Sequence, residues 1–448
     1  MNITDYRKLV FSINEIDPIT GVYYFNGCSK TYYVEEEGEL GYPKVLLTYQ
    51  WKDIFKTNKN VYNDRINTPF IQYATYKNVQ DISEHKKYFY MIMFYSVDFI
   101  VSNKNIGFRC VPDHVLDDVR NGKATIVLNN PIEGYSGCNL NMHGDELDII
   151  QTWIDNSNIP SSQVIYINGN LLSDKIKSSN VQYRVEGICI TDGWLMQRYN
   201  IDLNTCSIIN FKPVDHEYLY LNMTRDPRLH RMYLHSKLVA DDLFDYGKNS
   251  FNIRIYGDNH DNYAYSILKN INASPEILAG AKMIDSMGVK FIDIDTTDVD
   301  RAVTTINKTN YEQTFLSIIS ETIVVKNSIL ISEKTWKAVL IGHPFMLVSS
   351  KGSLKQLQEM GYRTFSKWID ESYDDVDTFQ ERIEIITNNL KKLKEKSLEE
   401  LINIRNEMNE ICMFNQNYFI NEIRRKYFVD DKFLQDKPVL DILMGVLE

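Results

Sequence analysis

The sequence is 448 residues long, which exceeds the size of one ordinary hydrophobic core and predicts two domains. Hydrophobic residues make up 44% of the chain and charged residues 24%, a composition typical of globular proteins. The formal net charge of −11 excludes a protein that binds nucleic acid through an overall basic surface. A basic groove confined to one region remains compatible with that charge.

Two strands and a helix are predicted in the first half of the chain. ATIVLNN (124–130) is an apolar strand, GDELDIIQTWIDNSN (144–158) has the apolar spacing of an amphipathic helix, and SSQVIYINGN (161–170) is a second apolar strand. Apolar strands without alternation are typical of parallel sheets that are buried on both faces. This passage therefore predicts a β-α-β unit.

The second half alternates strands and helices more regularly. A strand at 217–223 is followed by a helix at 228–247, which Gly247 is expected to end. The sequence predicts further strands at NSFNIRIYG (249–257), VKFIDID (289–295) and TFLSIISE (314–321). A long helical tail follows, in which Ser397 and Glu400 have the spacing of a capping box.

This alternation predicts an α/β fold with parallel sheets. The character of the sequence changes near residue 212, so we place one Rossmann-like domain at 1–212 and a second, with the helical tail, at 213–448. Two such domains in succession predict a cleft at the carboxyl ends of their strands, where ligands of parallel α/β sheets bind.

Targeting and membrane signals are not found. The first residues, MNITDYRKLVFSINEID, lack the basic leader and apolar run of a signal peptide. The apolar run at 91–101 is too short to span a bilayer and contains Asp98. We expect a cytoplasmic protein that does not insert into membranes. Its six cysteines have neither zinc-site nor disulfide-framework spacing, and they are Cys28, Cys110, Cys138, Cys189, Cys206 and Cys412.

One basic cluster follows the predicted strand at 217–223. NMTRDPRLHR (222–231) gathers Arg225, Arg228, His230 and Arg231 where the next helix begins. Cations and free backbone N–H groups at a helix N-terminus are what a diphosphate requires. An ordinary solvated helix start is the alternative interpretation.

Two polar clusters follow the strand that ends near residue 320. Ser320 and Glu321 form the first, and SEKTWK (332–337) forms the second, with Ser332 as a predicted N-cap. Glu333 could accept hydrogen bonds from a ribose diol, as acidic residues do in dinucleotide folds, and Lys334 and Lys337 could contact phosphates. Alternatively, Glu333 only complements the helix dipole.

SEKTWKAVLIGHPFMLV (332–348) resembles the donor-binding segment of nucleotide-sugar glycosyltransferases with the GT-B architecture. SEKTWK is similar to the donor-site motif of the α1,3-fucosyltransferases. The longer passage from FLSIISETIVV to IDESYDD resembles a group of glycosyltransferase-like proteins from phages and large viruses. LNMTRDPRLHRMYLHSKL resembles the same group, and LNNPIEGYS does so more weakly. The resemblance is strongest over residues 215–375 and weak in the first 200.

The resemblance implies two Rossmann-like domains facing across a cleft, with the donor nucleotide held by the C-terminal domain and no metal ion. It implies that Glu333 binds the ribose and that Arg228, Arg231, Lys334 and Lys337 lie near the phosphates. It also implies that the last helix, around LDILMGVL, packs toward the N-terminal domain. The hypothesis is therefore a glycosyltransferase that moves a sugar from a UDP- or GDP-sugar to an acceptor hydroxyl.

The sequence offers two candidates for the catalytic base. An inverting transfer needs a base, and Glu133 in NNPIEGYS follows a predicted strand, although an ordinary turn carboxylate explains it equally. Asp64 is a second candidate, and a retaining transfer needs no strong base. Asp293 and Asp295 form a DxD triplet that could hold Mg²⁺ or Mn²⁺, but such triplets arise by chance in an acidic chain.

The acceptor has several candidates. The viral resemblance suggests a modified nucleobase in viral DNA, in the host cytoplasm, and a glycan or a protein is the alternative. A non-catalytic protein that binds nucleotides or glycans with the same fold is a different class of function.

Overall fold

The computed structural model describes most of the chain from residue 146 onward and shorter stretches before it. The described residues are 10–13, 15–16, 23–24, 75–78, 87–93, 101–102, 105–106, 111, 113–130, 146–193, 195, 207–213, 218–253, 262–292, 306–434 and 437–447.

The chain divides into two compact units. The first unit contains Met1–Ile190 and Arg424–Glu448, and the second contains Thr191–Ile423. The division predicted from the sequence lay at residue 212 and left the whole tail with the second domain. The structure instead ends the first stretch at Ile190 and returns the C-terminal residues to the first unit.

The first unit is built on a parallel sheet of six strands in the order β10-β9-β8-β5-β1-β4. Two short antiparallel pairs, β2 with β3 and β6 with β7, accompany it. The strands are β1 (Val10–Ile13), β2 (Glu15–Ile16), β3 (Tyr23–Tyr24), β4 (Thr75–Asn78), β5 (Tyr88–Met93), β6 (Val101–Ser102), β7 (Asn105–Ile106), β8 (Ala124–Asn130), β9 (Val164–Asn168) and β10 (Arg184–Gly187). Among the described residues before 190, the helices are α1 (Asp113–Arg120), α2 (Glu146–Asn156) and α3 (Ser173–Ile176), with a 3₁₀ turn at Ser161–Gln163.

The predicted β-α-β unit of the first half is confirmed as β8, α2 and β9. Alternate residues of the strands enter separate cores on the two faces of the sheet. Tyr90 and Ile126 lie in one core with residues of α1 and α2, while Met91 and Val127 lie in the other. The uninterrupted apolar sequence of these strands follows from burial on both faces.

The second unit has a parallel sheet of four strands in the order β12-β11-β13-β14. Its strands are β11 (Tyr218–Met223), β12 (Gly247–Ser250), β13 (Thr314–Ser320) and β14 (Phe345–Val348). The helices in the described part of this unit are α4 (Leu229–Ala240), α5 (Tyr263–Asn270), α6 (Pro275–Met287), α7 (Lys308–Glu312), α8 (Glu333–Ile341), α9 (Ser353–Glu359), α10 (Phe379–Lys394) and α11 (Leu398–Tyr427), with 3₁₀ turns at Phe244–Tyr246 and Glu371–Asp374.

The connections that follow the two central strands of this sheet run toward opposite edges of the sheet. β11 continues through α4 to β12 on one side, and β13 continues through α8 to β14 on the other. Leu221 packs with Ile341 of α8, whereas the hydroxyl of the adjacent Tyr220 donates to Leu243 O after α4, so the two connections run over opposite faces. Ligands of open α/β sheets bind at such a reversal, at the carboxyl ends of the two strands.

The C-terminal segment adds β15 (Phe428–Val429), β16 (Lys432–Phe433) and α12 (Lys437–Leu447). Leu440 and Leu443 of α12 enter the same core as Phe89 and Met91 of β5. The expectation that the last helix packs on the N-terminal part of the chain is therefore confirmed.

Local signals at helix ends are also confirmed in part. Ser397 and Glu400 form the reciprocal bonds of a capping box at the start of α11. Gly247, predicted to end a helix, instead begins β12, and α4 already ends at Ala240. A Cβ at Gly247 would lie 2.0 Å from the ring of Tyr220, so this position needs glycine for close packing and not for helix termination.

The fold is thus α/β, with one parallel sheet in each unit and helices against the sheets. Among the described residues, no helix is both long and apolar enough to cross a membrane.

Candidate functional site

A pocket of about 120 Å³ lies at the carboxyl ends of β11 and β13, where the connections of the second sheet diverge. Its floor is apolar and includes Leu221, Met223 and Tyr311. Its polar wall carries four basic and two acidic side chains, which are Arg225, Arg231, Lys334, Lys337, Asp226 and Glu333. An apolar base with a few convergent polar groups is typical of small-molecule sites.

The loop after β11 is held against the neighbouring strand. Thr224 donates its backbone N–H to Ser250 O at 2.8 Å, and its hydroxyl lies 3.0 Å from Nε2 of His235. The short loop therefore brings Arg225 and Asp226 directly to the pocket. The Arg225 guanidinium lies over the ring of Phe291, 4.2 Å from its centroid, which limits the positions the guanidinium can adopt.

Arg231, in the first turn of α4, is 2% exposed and bridges two strand ends. Its guanidinium donates to Ser320 O and Glu321 O at 3.3 Å and to Asp226 O at 3.2 Å. Burial and the neighbouring Arg228 lower its pKa to about 10, so it is charged at neutral pH. Arg231 therefore supplies a positive charge to the pocket while bracing its wall.

Arg228 and His230 are placed differently from the sequence interpretation. Arg228 donates to Thr322 O at 2.6 Å and does not line the pocket. His230 is buried, and its Nε2 lies 3.1 Å from Glu321 O. Burial and Arg231 lower the pKa of His230 to about 3, so the ring is neutral and contributes no charge to a phosphate site.

Ser332 caps α8, as the sequence predicted, by accepting the backbone N–H of Lys334. Ser320 and Glu321 are buried behind the pocket and do not line it. The Glu321 carboxylate, 0% exposed, accepts the backbone N–H of Ser332 at 3.0 Å and the hydroxyl of Thr335 at 2.6 Å. Its contacts are thus with the start of α8.

Glu333, Lys334 and Lys337 line the pocket together, as predicted from the sequence. Lys334 Nζ lies 2.8 Å from Glu333 Oε1, and the Glu333 side chain is only 9% exposed. Burial tends to raise the pKa of Glu333, but Lys334 and Lys337 outweigh it and hold that pKa below its usual range. The carboxylate is therefore ionised at neutral pH and can accept hydrogen bonds from hydroxyl groups.

Some site residues were missed by the sequence analysis. Ser250 is the last residue of β12, and Tyr311 lies in α7 just before β13. Both reach the pocket only because those strands flank β11. Strand order cannot be read from these residues themselves, so no local signal marks them. Thr322, two residues past the end of β13, could have been included through its position after a strand end.

The remaining predicted residues, Glu133, Asp64, Asp293 and Asp295, lie outside the residues that the structure describes. Within the described part of the chain, no group of three or more His, Cys, Asp or Glu side chains is arranged to hold a metal ion. Comparison of the sequence with models of protein families gives no match, and comparison with curated proteins gives none either.

Proposed function

We propose that the chain is a nucleotide-sugar-dependent glycosyltransferase of the GT-B architecture, and that the second unit binds the donor. The observation that supports this proposal is the pocket at the divergence of β11 and β13. There, Arg225, Arg231, Lys334 and Lys337 converge beside the ionised Glu333. Cations at two helix N-termini match a diphosphate, and an adjacent carboxylate matches a ribose diol.

In this proposal the cationic wall serves the chemistry as well as binding. Transfer of a glycosyl group places negative charge on the departing nucleoside diphosphate, and fixed cations stabilise that charge in the transition state. The acceptor hydroxyl belongs to a modified nucleobase, a glycan or a protein. Deprotonation of that hydroxyl is assigned to Glu133, which follows β8 in the chain.

Thermal unfolding against UDP, GDP, CDP, ADP and dTDP, each with and without Mn²⁺, tests the proposal. A ligand at about a hundred times its Kd adds about 2.7 kcal/mol of stability, or about 5 to 10 °C in Tm for a unit of this size. We expect one nucleoside diphosphate to shift Tm without Mn²⁺. A shift that requires Mn²⁺ would direct attention to Asp293 and Asp295, and no shift with any of the five would contradict the proposal.

Turnover separates an enzyme from a binding protein of the same fold. With the matching nucleotide sugar, the wild type should release free nucleoside diphosphate, and Glu133→Ala should retain binding but lose release. Binding without release in the presence of DNA, glycan and protein acceptors would favour the non-catalytic alternative.

A further inference from the structure

The segment 320–322, which begins with the last residue of β13, contacts the start of α4 through its backbone. Arg231 donates to its first two carbonyl groups at 3.3 Å. His230 donates to the second carbonyl at 3.1 Å, and Arg228 donates to the third at 2.6 Å. Three side chains at the start of α4 thus determine where this segment lies.

The side chains of the same segment contact α8. Glu321 Oε1 accepts the backbone N–H of Ser332 at 3.0 Å and the hydroxyl of Thr335 at 2.6 Å, and Thr322 Oγ1 accepts from Lys334 Nζ at 3.4 Å. Ser332 already caps α8 through its own hydroxyl. The bond from Glu321 to the Ser332 N–H therefore attaches the helix start to the end of β13, beyond what capping requires.

We propose that Glu321 is a positioning residue for ligand binding. Its buried carboxylate sets the first turn of α8, and with it Glu333 and Lys334, at a constant distance from Arg231 of α4 in the same pocket. This inference rests on the proposed function, because a nucleoside diphosphate would contact Arg231 and the side chains of α8 at once. A preorganised pocket avoids much of the cost of ordering these side chains on binding.

The test compares Glu321→Ala with Glu321→Gln. Alanine removes both bonds, so we expect faster amide hydrogen exchange at residues 332–336 and at least about tenfold weaker binding of the nucleoside diphosphate that stabilises the wild type. Glutamine keeps one acceptor oxygen, and should restore slow exchange and an affinity within about threefold of wild type. If Glu321→Ala does not fold, Thr335→Val removes one of the two bonds and should weaken binding by a smaller factor.

Asp374 provides a matched control in the same unit. Its buried carboxylate accepts the backbone N–H groups of Leu354 and Lys355 at 3.1 Å at the start of α9, and it does not line the pocket. Asp374→Ala should lower Tm comparably to Glu321→Ala while leaving the nucleotide affinity unchanged.

The outcomes separate the two proposals. Equal loss of affinity in Glu321→Ala and Asp374→Ala, or an affinity in Glu321→Ala within about twofold of wild type, would overturn the positioning role. If the wild type binds none of the five nucleoside diphosphates, the proposed function fails, and hydrogen exchange alone decides the positioning role. Unchanged exchange at 332–336 in Glu321→Ala would then overturn it, and faster exchange would support it.

Discussion

Mild acid should unfold the second unit, because it buries three histidines as neutral rings. His230, His235 and His343 are each no more than 7% exposed, and burial, with nearby cations, lowers the pKa of each to about 3. The unfolded chain binds their protons below its pKa of about 6.5, while the folded unit does not. Stability is therefore unaffected above about pH 6.5 and falls as the pH decreases toward 3. At pH 5 each ring lowers the free energy of unfolding by about 2 kcal/mol, and the three together lower it by about 6 kcal/mol.

This loss is comparable to the whole stability of many domains, so it can be measured. Urea unfolding at pH values from 7.5 to 5 should give a free energy of unfolding that decreases by about 4 kcal/mol per pH unit below pH 6. The His343 ring bonds to Ser317 and Thr314 and does not line the pocket, so His343→Asn tests one ring. The variant should reduce the slope to about 3 kcal/mol per pH unit, whatever its absolute stability. A free energy that does not change between pH 7 and 5 would refute the reasoning.

Three other predictions concern individual side chains. Arg231→Lys keeps the positive charge but loses the planar guanidinium, so its free energy of unfolding in urea should be about 2 kcal/mol lower than that of the wild type. A variant as stable as the wild type would mean that the three bonds from Arg231 to backbone carbonyl groups contribute little. Glu333→Gln should weaken nucleoside diphosphate binding about tenfold in calorimetric titrations at pH 7.5, because the lowered pKa of Glu333 keeps the wild-type carboxylate ionised there. Tighter binding by Glu333→Gln would mean that this carboxylate only opposes the phosphates. Thr378→Ala breaks the capping box with Glu381 at the start of α10, so it should lower the free energy of unfolding in urea by about 1 kcal/mol and leave the nucleotide affinity unchanged. An altered affinity would show that α10 influences the pocket.

The strand ends and helix starts of the second unit could be predicted from the sequence because their signals are local. The run at 314–320 is rich in apolar residues, and Ser332, which follows it, is of a residue type typical of N-caps and stands directly before α8. Glu333, Lys334 and Lys337 follow from that start, because the first turns of a helix after β13 must face the carboxyl end of the sheet.

Other features depend on contacts between distant parts of the chain. The sequence suggested that Glu321 binds a ligand. In the structure, its Oε1 instead accepts hydrogen bonds from the Ser332 N–H and the Thr335 hydroxyl, which are contacts that only the fold reveals. The sequence places His230 in a basic cluster, whereas burial lowers the pKa of His230 and keeps its ring neutral. The return of Arg424–Glu448 to the first unit depends on α12 packing against β5, which no local pattern encodes.

The central claim is that the cations of the pocket hold a diphosphate, and calorimetric titration of a double variant tests it most directly. Lys334→Met with Lys337→Met removes two cations from the pocket wall, and Lys351→Met removes an exposed lysine that pairs with Asp377 at 2.7 Å and does not line the pocket. The account predicts that the wild type and Lys351→Met bind the same nucleoside diphosphate equally well, and that the double variant binds it at least about tenfold more weakly. Equal binding by all three proteins would contradict the account.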